Sequence, residues 1–179
     1  SYERVIHWST AISFVILAVS GMLMLFGKYL VLPILGPTLF SWFTQIGKLL
    51  HNFVGPVFIV CSVMLFFTFV RNNLPHPSDW TWVRKLGGLF SGEHIPSHRF
   101  NAGEKLVFWL VLTVGSTVLI VSGLVLLFPN FDQTRSTMQL ANLIHMGVAL
   151  LATAMAAFHI YLGTIGMRGA YDAMRYGYV

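Results

Sequence analysis

The sequence predicts an all-α membrane protein, an up-and-down bundle of four transmembrane helices. Three observations carry that expectation. Of 179 residues, 56% are hydrophobic and only 9% are charged, against about 25% charged in soluble globular domains. No Asp, Glu, Lys or Arg occurs in 5–27, 49–70, 106–131 or 136–167. Each of those runs exceeds the roughly 20 residues that a helix needs to cross a bilayer. Four such helices in 179 residues make a compact up-and-down bundle. The same composition excludes an ordinary water-soluble protein, a disordered tail and a nucleic-acid module.

Helices are expected at about 6–27, 49–71, 105–128 and 137–165 within a single domain, 1–179, because a lipid-embedded segment must satisfy its backbone internally. The first run is long enough to be retained as a helix rather than removed as a signal peptide. The stretch 29–47 is charge-free too, but Pro33, Gly36 and Pro37 interrupt a helix through its middle, and Lys28 and Lys48 bound it closely. It is expected as an interfacial loop anchored by Trp42 and Phe43. The polar stretch 72–104 is expected as a loop at the opposite face. No low-complexity segment and no convincing repeat is apparent.

The net charge of +5 is spread among the connections. Arg4, Arg71, Arg84, Lys85, Arg99, Lys105, Arg168 and Arg175 fall on the side of the termini and the 72–104 loop; Lys28, Lys48 and Arg135 fall on the other. Basic residues favour the cytoplasm, so both termini and that loop are expected there. The single Cys61 lies in an apolar run, which leaves no disulfide framework and no thiolate metal site.

Seven histidines are present. His76, His94 and His98 fall in the polar 72–104 stretch and read as exposed titrating side chains. His7, His51, His145 and His159 lie in the charge-free runs, where an ionisable residue is costly unless something uses it. One such histidine is explained by a hydrogen bond to a neighbouring helix; four are harder to explain that way. His145 and His159 share a face of the fourth helix, about 21 Å apart along its axis. His51 opens the second helix at the depth of His145, and His7 opens the first at the depth of His159. Two pairs result, at two levels. Facing neutral imidazoles are what six-coordinate haem iron requires, whereas zinc or di-iron sites need further ligands gathered at one depth. Gly21, Gly55, Gly147 and Gly163 lie on or near the same faces and suit a flat macrocycle, although close helix packing accounts for them equally.

The segments ERVIHW (3–8), KLLHNFVGP (48–56), RFNAGEKLVFW (99–109), LIHMGVALL (143–151) and FHIYLGTIG (158–166) resemble the gamma subunits of respiratory formate dehydrogenases. Those subunits are four-helix cytochromes b with two haems and a quinone site. The resemblance covers nearly the whole chain in order. It implies two haems b, one held by His51 and His145 near the outer face and one by His7 and His159 near the cytoplasm. It further implies a menaquinone or ubiquinone pocket built from Asn101, Gly103 and Glu104 with His159 close by. Asn101 can donate to a quinone carbonyl and Gly103 lets a ring approach; the same residues are also a good helix start. Glu104 stands where some relatives carry Gln.

By that resemblance the chain makes and breaks no bonds with its own side chains. It passes electrons to quinone from an iron–sulfur subunit with a membrane anchor helix, which is served by a molybdenum or tungsten catalytic subunit. The implied setting is the bacterial inner membrane, in a complex that can form a higher oligomer. A cytochrome b subunit of a membrane-bound hydrogenase, or of another quinone-reducing oxidoreductase, shares the pattern. A haem-free anchor would not need the four histidines, and a transporter would typically show repeats and broken helices. Arg4 and Arg71 read as positive-inside anchors, Trp8, Trp42 and Trp109 as interfacial belts, and Met146 as packing.

Overall fold

Each charge-free run has a long helix as its counterpart in the computed structural model, which describes residues 1–85, 87, 97, 99–166 and 170–177. Helix α1 spans Tyr2–Leu30 and α2 spans Leu32–Phe69. A 3-10 turn, Val70–Asn73, and a short helix α3, Pro77–Arg84, follow. Helix α4 covers Ala102–Leu127, α5 covers Arg135–Gly166, and a short α6 covers Ala170–Tyr176. No strand occurs among the described residues. Helices α1, α2, α4 and α5 are all long and apolar enough to span a membrane.

The side-chain distribution is that of a protein whose solvent is lipid. Val19, Phe53, Leu110 and Leu151 are well exposed, while Thr10, Ser13, Ser20, Ser62, Ser116 and Ser122 are buried. Lipid tails are as apolar as leucine, so nothing drives large side chains inward. Small residues let the backbones approach instead. Some buried hydroxyls bond locally: Thr10 donates to the Ile6 carbonyl at 2.8 Å and Ser13 to the Ser9 carbonyl at 2.8 Å, whereas the buried Ser62 Oγ has no partner among the described residues.

Between α1 and α2 the structure corrects the expected interfacial loop at 29–47. That stretch is helical except around Val31 and at Gly36, where the backbone turns at φ 74, ψ 170. Pro33 sits in the first turn of α2, where its missing N–H costs nothing. Pro37 follows the break at Gly36 and restarts the helix in the same way. The restarted helix runs back along α1. A Cβ on Gly27 would come within 2.8 Å of Phe40, and one on Gly47 within 3.0 Å of Leu23. Trp42 and Phe43 remain exposed, as anchors would be.

The 72–104 stretch also holds more order than a loop. His76 caps α3: its Nδ1 accepts from the Ser78 N–H at 3.3 Å while Asp79 accepts from the His76 N–H at 2.7 Å. His76 is exposed, as expected, and also starts a helix; His94 and His98 lie outside the described residues. Asn101 and Glu104 form the same reciprocal cap on α4, at 3.0 and 2.8 Å. Thr134 caps α5 through the Thr137 N–H, and Gln133 donates to the Val125 and Phe128 carbonyls at the end of α4. Within α4, Phe108–Gly115 is wound as a π-helix, and Thr113 donates five residues back to the Phe108 carbonyl.

Candidate functional site

Two pairs of histidine rings meet between the helices, with His7, His51 and His145 half-buried and His159 exposed. His7 on α1 faces His159 on α5, with ring centres 6.1 Å apart and planes inclined at 54°. His51 on α2 faces His145 on α5, with ring centres 6.2 Å apart and planes at 73°. These are the pairs that helical depth predicts. The first level lies towards the end where Arg4 donates to the Arg175 carbonyl and Lys105 meets Asp79. The second lies beside Ser20 and Ser122.

The second level is held by matched contacts. Ser20 Oγ lies 3.0 Å from His51 Nδ1 and donates its one hydrogen to the Ile16 carbonyl at 2.7 Å. Ser122 Oγ lies 2.9 Å from His145 Nδ1 and donates to the Val118 carbonyl at 2.6 Å. A hydroxyl has a single proton to give. With each hydroxyl proton on its carbonyl, the serine accepts from its histidine, alongside the Leu17 carbonyl for His51 and the Leu119 carbonyl for His145, and both imidazoles then carry their proton on Nδ1 and keep the Nε2 lone pair. The adjacent glycines fit against the rings: a Cβ on Gly21 would sit 3.4 Å from His51 Cε1, and one on Gly123 would sit 3.2 Å from His145 Cε1.

Residues 1–177 match the family described as prokaryotic cytochrome b561. The chain belongs to that family. It is 30% identical over 181 residues to the cytochrome b556(fdo) subunit of formate dehydrogenase from Escherichia coli (strain K12), a match that spans 99% of this chain and 82% of that protein. The cytochrome b556(Fdn) subunit of the nitrate-inducible formate dehydrogenase of the same strain is 29% identical over 171 residues, 89% of this chain and 73% of that protein. A Shigella flexneri protein of the same description matches to the same extent.

Membership of a cytochrome b family implies haem b, and the donor set of this b561 chain suits it. Two metal–imidazole bonds of about 2 Å, with the rings behind them, put ring centres roughly 6 Å apart. Both pairs have that separation. Each pair offers two donors and no more, since no group of three or more His, Cys, Asp and Glu side chains occurs among the described residues. A porphyrin iron asks for two axial ligands, whereas structural zinc asks for four. Gly55, Gly147 and Gly163 each have nothing within 4 Å of where a Cβ would stand.

The other expected site residues are placed less simply. Asn101 Oδ1 and the Glu104 carboxylate are both engaged in the α4 cap. A Cβ on Gly103 would lie 3.0 Å from the Trp82 ring, so its bare backbone admits a tryptophan. No hydrogen bond or ring contact among the described residues joins His159 to this turn. An apolar cavity of about 370 Å³ opens between α4 and α5, lined by Val111, Val118, Val148, Ala152 and Met155. It runs along the part of α5 that separates His145 from His159, and none of Asn101, Gly103 or Glu104 lines it.

Reading the sequence missed Ser20, Ser122 and Gly123. A signal for them exists: VSGMLMLF (19–26) on α1 and VSGLVLLF (121–128) on α4 share Val, Ser, Gly, Leu and Phe in register. ERVIHW (3–8) and EKLVFW (104–109) extend the likeness to the other end of the same helices, which overturns the expectation of no repeat.

Proposed function

We propose that the chain is the membrane cytochrome b subunit of a respiratory formate dehydrogenase, carrying two haems b. In this reading His51 and His145 are the axial ligands of one haem, and His7 and His159 those of the other. The observation that carries it is the pair of bis-histidine couples, 6.1 and 6.2 Å between ring centres, in a b561-family chain. Haem b, when bound, supplies reversible one-electron chemistry. The four histidines hold it at two depths, so that electrons entering at one membrane face can leave at the other.

The excess of Lys and Arg at the end of the termini supports placing that end in the cytoplasm of a bacterial inner membrane. The level of His51 and His145 then faces outward, towards an iron–sulfur partner with an anchor helix and a molybdenum or tungsten subunit that oxidises formate. Nothing in a chain with one cysteine can ligate an iron–sulfur cluster. Quinone is reduced at the cytoplasmic end, beside Asn101, Gly103, Glu104 and His159. Support for that assignment comes from the α4 N-terminus, whose dipole favours negative charge on a reduced quinone. The Asn101 amide nitrogen also remains a donor, because the cap uses only Oδ1. Electrons then move inward while protons are taken up inside, and the membrane potential grows.

The test is a reduced-minus-oxidised spectrum with haem quantification on the complex. Two protohaems per chain are expected. His145→Ala and His159→Ala should each remove one, and not the same one. Reduction of both haems by formate supports the donor; reduction by hydrogen instead would make this the cytochrome subunit of a hydrogenase. A folded complex without haem would defeat the proposal.

A further inference from the structure

We infer that Ser20–Gly21 and Ser122–Gly123 are twin seats that orient His51 and His145 and tune the haem those histidines are proposed to hold. The inference rests on that ligand assignment. Each seat stands on the first helix of a helical hairpin and grips a histidine on the second: α1 grips α2, and α4 grips α5. Each is buried, with Ser20 at 4% and Ser122 at 6% of full exposure. The hydroxyl is pinned by a carbonyl one turn back, so its lone pair is aimed at Nδ1. The glycine that follows leaves room for Cε1 of the same ring. The serine shares the ring proton with a backbone carbonyl, that of Leu17 or Leu119, and the glycine sets the ring position.

The level of His7 and His159 lacks this device. His7 Nδ1 is buried and has no hydrogen-bond partner among the described residues. The two levels therefore differ in how strongly their ligands can push electron density towards a metal. A serine oxygen that accepts from Nδ1–H makes the imidazole more basic. A more basic imidazole stabilises ferric iron over ferrous and lowers the potential. Ser20 and Ser122 are positioning residues: they act through the histidines, and they poise one haem against the other.

The experiment uses the whole complex, in which the haem lost in His145→Ala identifies the signal to follow. Ser20→Ala and Ser122→Ala should keep both haems. Each should raise the potential of that haem so that its ferrous-to-ferric ratio at fixed ambient potential rises about tenfold, or about 59 mV for one electron. The low-spin ferric resonance of the same haem should shift, and Ser→Thr should restore both properties. The haem lost in His159→Ala should not move. If an alanine variant fails to assemble, Ser122→Cys, a poorer acceptor, should move the potential in the same direction by less. An unmoved potential in these variants, or an equal movement of both haems, overturns the seats while a normal haem loss in His145→Ala leaves the ligands standing. Retention of both haems by His145→Ala overturns the ligands and the seats together.

Discussion

Lys105 shows how a charge is held at the edge of an apolar bundle. It keeps 6% of its full exposure, and its Nζ donates to both oxygens of Asp79 at 2.9 and 2.8 Å. Burial by itself pushes the Asp79 carboxyl up. The bonds from Lys105 and from the His76 N–H outweigh that and hold it below its ordinary 3.8. A depressed carboxyl stabilises the fold above the unfolded value, and the benefit fades as pH falls through the folded one. Acidification below about pH 4 should therefore release α3 from the start of α4, read as lower amide protection over residues 77–84 once intrinsic exchange at each pH is divided out. Asp79→Asn should do the same at neutral pH, costing about 3 kcal/mol, because the buried ammonium loses its counter-charge. Equal protection factors at pH 3 and pH 7 would count against the pair. This contact was invisible in the sequence, since Asp79 and Lys105 stand on separate elements. The histidine pairs were legible because helical rise and turn convert sequence spacing into depth and face. Ser20 and Ser122 were not, because a serine in an apolar helix reads as packing until the partner helix is in place.

Elements follow the absence of charge closely. The ends of α1, α4 and α5 lie within a few residues of the charge-free limits, since lipid excludes Lys and Asp wherever a helix faces it. The stretch at 29–47 misleads because proline and glycine commonly end a helix, whereas proline in a first turn begins one. What decides the path is Gly36, at φ 74, ψ 170, a region almost closed to other residues. Nothing crowds its Cβ position, so the cost of Gly36→Ala is backbone strain alone. That substitution should lower stability by about 1–3 kcal/mol, seen as earlier thermal unfolding of the complex. A neighbouring Leu35→Ala change, at an ordinary backbone position, serves as the control. A Gly36→Ala variant as stable as the parent would mean that the turn between α1 and α2 can be made another way.

The whole molecule is two helical hairpins built on one pattern. α1 and α4 share Glu-basic at their starts, a Trp four residues after the basic residue, and the Val-Ser-Gly seat further along. Both tryptophans tie their helix to a distant backbone carbonyl: Trp8 donates to that of Met174 at 3.2 Å and Trp109 to that of Asn73 at 2.9 Å. Where α1 has His7 before its tryptophan, α4 has Phe108, and Phe108 stacks on Phe66 of α2 at 5.8 Å. One histidine couple thus has a ring stack as its counterpart. The helices differ in length between their fixed points, because Ser122 stands one residue further from Trp109 than Ser20 does from Trp8. The π-helical stretch Phe108–Gly115 accounts for that residue: a π-bulge takes up one extra residue without turning the flanking helix ends relative to each other. Helix α1 has no such stretch. Deleting Leu112 should therefore convert α4 into a plain α-helix with Trp109 and Ser122 still in register, and thermal stability and haem content should stay near those of the parent. Deleting Val15 from α1 removes a residue from a regular helix and should rotate one end against the other by about 100°. Either the Trp8 tie or the Ser20 seat must then give way, and the haem proposed to rest on that side should be lost. Equal damage from the two deletions would show that the π stretch is needed for itself rather than as the slack between two fixed points.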